Sequence, residues 1–154
     1  MEQQKNAPVY ELIGQTLTDV GAYKEVLILR FGEYELHMTC FARALHNNRI
    51  LFTTQDYACW DEEDYNHNDM YLNIAEHGKT LIGQEVRSVE VSSVNDLFLV
   101  LDNDARIEIF NSNGSLHFLE EGMVAEQWFF YKPKDKTYPY YSVENTGPVR
   151  EEKA

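Results

Sequence analysis

The chain has 154 residues, 44% of them hydrophobic, which is enough to close one core and argues for a single domain over 1–154. Its 13 Lys and Arg stand against 26 Asp and Glu, a net charge of −13. A field of that sign repels phosphate backbones and anionic lipid, which argues against direct contact with nucleic acid or a membrane surface and favours a cation or a basic protein as partner.

The opening stretch, "MEQQKNAPVYELIG", contains no apolar run of signal-peptide length, and no later stretch reaches the length of a membrane span, so a cytoplasmic location is expected. From residue 13 the sequence writes one unit twice. "IGQTLTDV" at 13–20 returns as "IGQEVRSV" at 82–89. Each copy runs into an apolar strand, "EVLILRF" (25–31) and "DLFLVL" (96–101), then a tight turn, then an alternating strand, "YELHMTCF" (34–41) and "ARIEIF" (105–110). Period-two patterning of this kind marks half-buried antiparallel strands. Two copies at a spacing of about 70 residues indicate duplicated supersecondary units rather than a solenoid.

Turn chemistry supports this reading. Gly32 and the pair at 103–104 suit positions of positive φ, and Asn47-Asn48 and Asn113-Gly114 suit hairpin turns. A last strand is expected at 125–131, with Gln127, Phe129 and Tyr131 on one face and Glu126, Trp128 and Phe130 on the other. Between the units, "DMYLNIAEHGKTL" has helical spacing. It predicts a helix over 69–77 with Asp69 at its start and Gly78 as its stop. From 132 the tail holds three of the four prolines and little periodicity, and is expected to lie irregularly on the surface. The fold class is therefore mainly β, α+β with one minor helix. Two antiparallel β-meanders (13–54 and 82–131), joined by a connection at 55–81, pack as a sandwich or a partly open barrel.

No catalytic signature accompanies this scaffold. There is no G-x-S-x-G and no P-loop, and Cys40 and Cys59 are not in a CxxC arrangement. Each is expected to be a reduced, mostly buried thiol. "DNDARIE" (102–108) begins like a calcium loop but lacks its glycine and closing glutamate, so no metal or other cofactor is expected. The conspicuous stretch is "DYACWDEEDYNHND" at 56–69, with six carboxylates and no Lys or Arg. Asp56, Asp61, Glu62, Glu63, Asp64 and Asp69 there surround Tyr57, Trp60 and Tyr65. Aromatic anchors ringed by charge match the make-up of binding hot spots. Carboxylates can also stand in for phosphates to a protein that grips nucleic acid, and they speed its approach. These nine residues are the candidate partner-binding site.

Small acidic single-domain proteins without catalytic motifs resemble the immunity proteins of bacterial toxin systems, among them contact-dependent growth inhibition and polymorphic toxins. The pattern "IGQ…V", "L.L.F", "RIL" (Arg49–Leu51) and "EQWFFYKP" is similar to small bacterial β domains found among such proteins, over about 13–134. The resemblance implies a role, the binding and neutralising of a cognate toxin domain such as a basic nuclease, by a monomer or weak dimer that is not an enzyme. Two other readings stand beside it. One is a small metal-dependent hydrolase using the acidic loop with His67. The other is a ligand-binding or assembly domain using the barrel interior or a sheet edge.

Overall fold

The computed structural model describes residues 7–112, 125–144 and 147–151. The hairpin expected at Asn113-Gly114 lies outside them. Among the described residues eleven strands form two antiparallel sheets. The first unit gives the meander β1 (Asp19–Tyr23), β2 (Val26–Phe31) and β3 (Tyr34–Met38), then the hairpin β4 (Phe41–His46) and β5 (Arg49–Thr53). The second gives β6 (Val86–Val91), β7 (Leu97–Leu101) and β8 (Arg106–Phe110), then β9 (Glu126–Tyr131), β10 (Tyr140–Glu144) and β11 (Gly147–Glu151).

The sheet orders are β1-β2-β3-β9-β10-β11 and β5-β4-β8-β7-β6. One hydrophobic cluster draws on both, from Leu27, Leu29 and Leu36 in one sheet and Leu97, Leu99 and Ile107 in the other. The result is a sandwich with open edges, not a barrel. The units do not keep to themselves, however. The strand after each meander crosses over and pairs with the third strand of the other: β4 joins β8, and β9 joins β3. This corrects the reading of 34–41 as one strand. Its inward alternation does run through Leu36, Met38 and Cys40, all buried, but the chain changes sheet at Thr39–Cys40. Both of those amides donate to the carbonyl of Gln127, at 2.9 and 3.2 Å, which ties the crossover to β9.

The two IGQ copies meet at the centre of this exchange. Gly14 N–H donates to Val86 O (2.8 Å) and Gly83 N–H to Leu17 O (2.8 Å). Leu17 N–H donates to Gln84 O (2.9 Å) and Val86 N–H to Gln15 O (2.9 Å), around an isolated Thr16–Glu85 bridge. The bonds are reciprocal, as about a local twofold axis. Gly14 (φ 86°) and Gly83 (φ 92°) hold backbone conformations that a side chain disfavours, which is why both copies have glycine there.

Packing across the axis is shared unequally. Against Ile109 and Ile107 the first unit sets Ala42 and Ala44; against Met38 and Leu36 the second sets Trp128 and Phe130. Small and large residues together fill one interior.

The turns follow the sequence. Gly32 (φ 64°), Asn47 and Asn48 (φ 52° and 61°) and Asp104 (φ 66°) all take positive φ. The tail does not follow it: β10 and β11 extend the first sheet beyond β9, so the second unit reaches past 131. Main-chain pairing overrides the weak periodicity there, and Tyr141, Ser142 and Val143 are buried. Strict alternation in the last strand also fails. The register shifts by one residue opposite Val143–Glu144, and Gln127 is buried beside Trp128. Glu126 then accepts from Tyr140 Oη (2.7 Å) and Ser142 Oγ (2.6 Å) instead of following Trp128 inward.

The helix is α1 (Asp69–His77), preceded by a 3-10 turn at Thr54–Ala58. Its cap is Asn68 rather than Asp69: Asn68 Oδ1 accepts Tyr71 N–H at 3.0 Å. Gly78 is not a left-handed stop. It has φ −57° and continues into a 3-10 turn, Gly78–Thr80.

Candidate functional site

The acidic stretch leaves β5, passes through the 3-10 turn and enters α1. Its two ends are fastened together. Asp69 N–H donates to Cys59 O (2.8 Å), Trp60 and Asn68 form an isolated bridge, and Asn68 Nδ2 donates to Tyr65 O (2.8 Å). Asn68 is 1% exposed, so this joint is shielded from water. Tyr71 Oη donates to Lys24 O (2.9 Å), which anchors α1 to the β1–β2 turn.

Asp61 organises the span between those ends. Its Oδ1 accepts the N–H groups of Glu63 and Asp64, each at 2.9 Å, and its Oδ2 lies 2.8 Å from His67 Nδ1. Asp64 Oδ1 accepts Asn66 N–H at 2.9 Å. Glu62 sits at the crest with φ 66°. Hydrogen bonds from Asp64 N–H, His67 and Glu63 N–H hold the Asp61 carboxyl down at about 2. The same carboxylate raises the His67 pKa above 6.5.

These shifts define a pH window. The His67 contribution is complete below its ordinary 6.5 and is lost as pH rises through the raised value. The Asp61 contribution is complete above its ordinary 3.8 and is lost as pH falls through about 2. The clasp is therefore fully formed at mildly acidic pH and loosens on the alkaline side of the histidine titration. Asp61→Asn will move the His67 pKa back down toward 6.5, read from its ring proton shifts by NMR. An unmoved titration would show that the pair is not formed in solution.

The nine candidate residues divide by what holds them. Trp60 and Tyr65 stack with ring centroids 4.3 Å apart and planes 21° apart, and Tyr65 is 63% exposed. Tyr57 is half-buried and meets Tyr71 instead, at 6.0 Å. Glu62, Glu63, Asp64, Asp61 and Asp69 are exposed. Asp56 stands apart: its Oδ2 accepts Thr53 N–H (2.9 Å) and Asn73 Nδ2–H (3.2 Å), so its carboxylate serves the capping box of the 3-10 turn.

A cleft of about 310 Å³ opens beside the stack, lined by Cys59, Trp60, Asp61, His67, Asn68, Asp69 and Leu72. Three of its walls, Cys59, Asn68 and Leu72, were not read as site residues from the sequence. Asn68 could have been found from its N-cap position. Leu72, 49% exposed, lies one helical turn beyond Asp69. Cys59 is exposed, against the expectation of burial, while Cys40 is buried, with its thiol pushed up to about 12 by loss of water.

Among the described residues no group of three or more His, Cys, Asp or Glu is placed to hold a metal ion. No described helix is long and apolar enough to cross a membrane. Comparison with protein-family models, with curated proteins and with solved structures finds no match for this chain.

Proposed function

We propose that this protein is a binding protein of the immunity type, which captures a cognate bacterial toxin domain with a basic surface and neutralises it by covering its active or partner-binding surface. The observation that carries this reading is the Trp60–Tyr65 stack, held toward solvent by a hydrogen-bonded acidic loop. A stacked pair loses little freedom when it meets a partner, and so supplies rigid apolar area at low entropic cost. Around it Glu62 and Glu63 have no hydrogen bond through their carboxylates among the described residues, and can meet Lys or Arg. Their charge adds to an overall field of −13, which speeds approach of a basic domain. Cytoplasmic action follows from the same proposal, because a toxin delivered into a cell must be met there.

The partner is to be sought by co-purification from the native cell, and among the products encoded next to this chain. With it in hand, Glu62→Lys combined with Glu63→Lys will weaken the complex about 10- to 100-fold, mainly through slower association, while leaving the melting temperature near wild type. Binding measured across a salt series will fall as salt rises. A complex indifferent to both changes removes the loop from the interface.

The hydrolase reading has one feature in its favour, the Asp61–His67 pair in a cleft. It requires turnover by the protein alone that is lost in His67→Gln.

A further inference from the structure

The cleft between the acidic loop and α1 has two kinds of wall. Cys59, Trp60 and Leu72 give it apolar surface, and Asp61 and Asp69 set carboxylates at its edge. Leu72 is 49% exposed, a large apolar side chain left uncovered near the start of α1. Tyr65 stacks on one side of Trp60 and is not part of the lining, so the indole turns a different surface to the cleft. Asn68 between them is buried, with its side chain bound to Tyr71 N–H and Tyr65 O, which fixes the walls in place.

The two carboxylates are not equivalent. Asp61 is engaged on both oxygens, by Glu63 N–H, Asp64 N–H and His67 Nδ1. Asp69 is exposed, and among the described residues its carboxylate accepts no hydrogen bond and makes no ion pair. Its backbone is nevertheless pinned, because its N–H donates to Cys59 O at 2.8 Å. Asp69 and Leu72 are three residues apart on α1 and so share one face of it. The cleft thus offers one uncommitted anion beside a fixed apolar wall, and no Lys or Arg of the chain lines it among the described residues.

We infer that this cleft receives an arginine side chain of the basic partner, an inference that rests on the proposed function and names the anchor the partner must carry. The occupant follows from charge and shape together. An apolar wall with an acid at its edge suits a side chain with an apolar stem and a cationic head: the methylenes lie along Leu72 while the head reaches Asp69. A guanidinium fits better than an ammonium. It is planar and stacks on an indole, its fork meets a carboxylate through two parallel N–H bonds, and it gives up water more readily. At about 310 Å³ the cleft is near the low end of ligand sites, room for one side chain rather than a peptide segment. Two roles then separate: Glu62 and Glu63 speed the approach of the basic domain, and the cleft holds it once docked.

The test uses a probe of that chemistry, Nα-acetyl-arginine amide, titrated to about 50 mM into the isotopically labelled full chain and followed by NMR, since a single side chain is expected to bind in the millimolar range. The chain has two Trp, so the Trp128 indole, buried in the core, is an internal control for Trp60. The expected result is a saturable shift of the Trp60 indole N–H and of Leu72, with Trp128 still. The citrulline analogue, which has the same shape without the charge, will bind about tenfold more weakly or worse, and the lysine analogue will fall between them. Asp69→Asn will weaken the probe about tenfold, whereas Glu76→Gln, which removes an exposed charge from the same helix, will leave it within about twofold. The Asp69→Asn melting temperature will stay near wild type, because that carboxylate holds nothing in the fold. A Trp60 signal that does not move or does not saturate overturns the inference. So do equal responses to arginine and citrulline amides, or equal losses from Asp69→Asn and Glu76→Gln, which would mark bulk charge. No toxin domain enters the experiment. A cleft indifferent to the probe leaves capture through the Trp60–Tyr65 stack standing, and that reading is judged separately by the Glu62→Lys/Glu63→Lys variant and the salt series.

Discussion

Trp128→Ala will destabilise the fold by about 3–5 kcal/mol, a large share of the roughly 5–15 kcal/mol that holds a domain of this size together. Trp128 is 0% exposed and is the largest fully buried side chain. It pairs with Met38 across β3 and β9 and meets Tyr141 with ring centroids 5.7 Å apart. Its indole N–H donates to Asn95 O at 2.9 Å, so the ring also latches the β6–β7 turn to the opposite sheet. Truncation empties a cavity bounded by both sheets and removes a partner from a turn residue that holds φ 65°. The midpoint of urea unfolding will drop with the slope unchanged, because the same surface is still exposed on unfolding. Trp128→Phe will recover much of the loss, since it keeps the apolar volume and forfeits only the hydrogen bond. Trp60→Ala, at a half-buried loop position, will cost far less. A Trp128→Ala midpoint within error of wild type would contradict the placement of this ring at the centre of the sandwich.

Gly14→Ala and Gly83→Ala will each cost about 1–2 kcal/mol, and nearly the same amount as each other. Among the described residues no atom beyond the chain neighbours lies within 4 Å of a Cβ added at either position, so steric clash contributes nothing. The whole cost is the backbone, held at φ 86° and 92° by the reciprocal bonds to Val86 and Leu17. Equal penalties at residues 69 positions apart are a direct consequence of the local twofold relation. Gly21→Ala is the control: its φ is not in the positive range and only the tip of Arg30 comes near, at 3.9 Å, so its effect will be small. Thermal melts of the three single variants and of the Gly14→Ala/Gly83→Ala pair check this. A strongly unequal pair would mean that the two copies do not share one geometry.

The sequence carried the elements further than their arrangement. Apolar alternation placed the strands, the asparagines and Gly32 placed the turns, and helical spacing placed α1, because each is a local signal read within a few residues. Where strands find partners is a long-range matter. The crossover at Thr39–Cys40 left no mark, since Cys40 continues the inward alternation of Leu36 and Met38 while the main chain moves to the other sheet. The tail misled for the same reason: β10 is defined by its ladder with β9, and three prolines hid the rest. The bulge at Gln127 adds one residue and reverses the face of Glu126, which no periodicity can report. In the acidic loop the composition announced a charged aromatic surface. Which side chains are committed to the protein itself emerged only from geometry. Asp56 caps a turn and Asp61 clasps His67, whereas the charge count treated all six carboxylates alike.

The exchange of strands also bears on how the molecule is made. Leu36 on β3 waits for Phe130 on β9, so an emerging chain carries an open sheet edge until β9 has left the ribosome. Neither half has the partners to finish its own layers. Assembly must therefore come late and in one cooperative step, and a chain stopped before β9 is material for chaperones and proteases rather than a smaller working version.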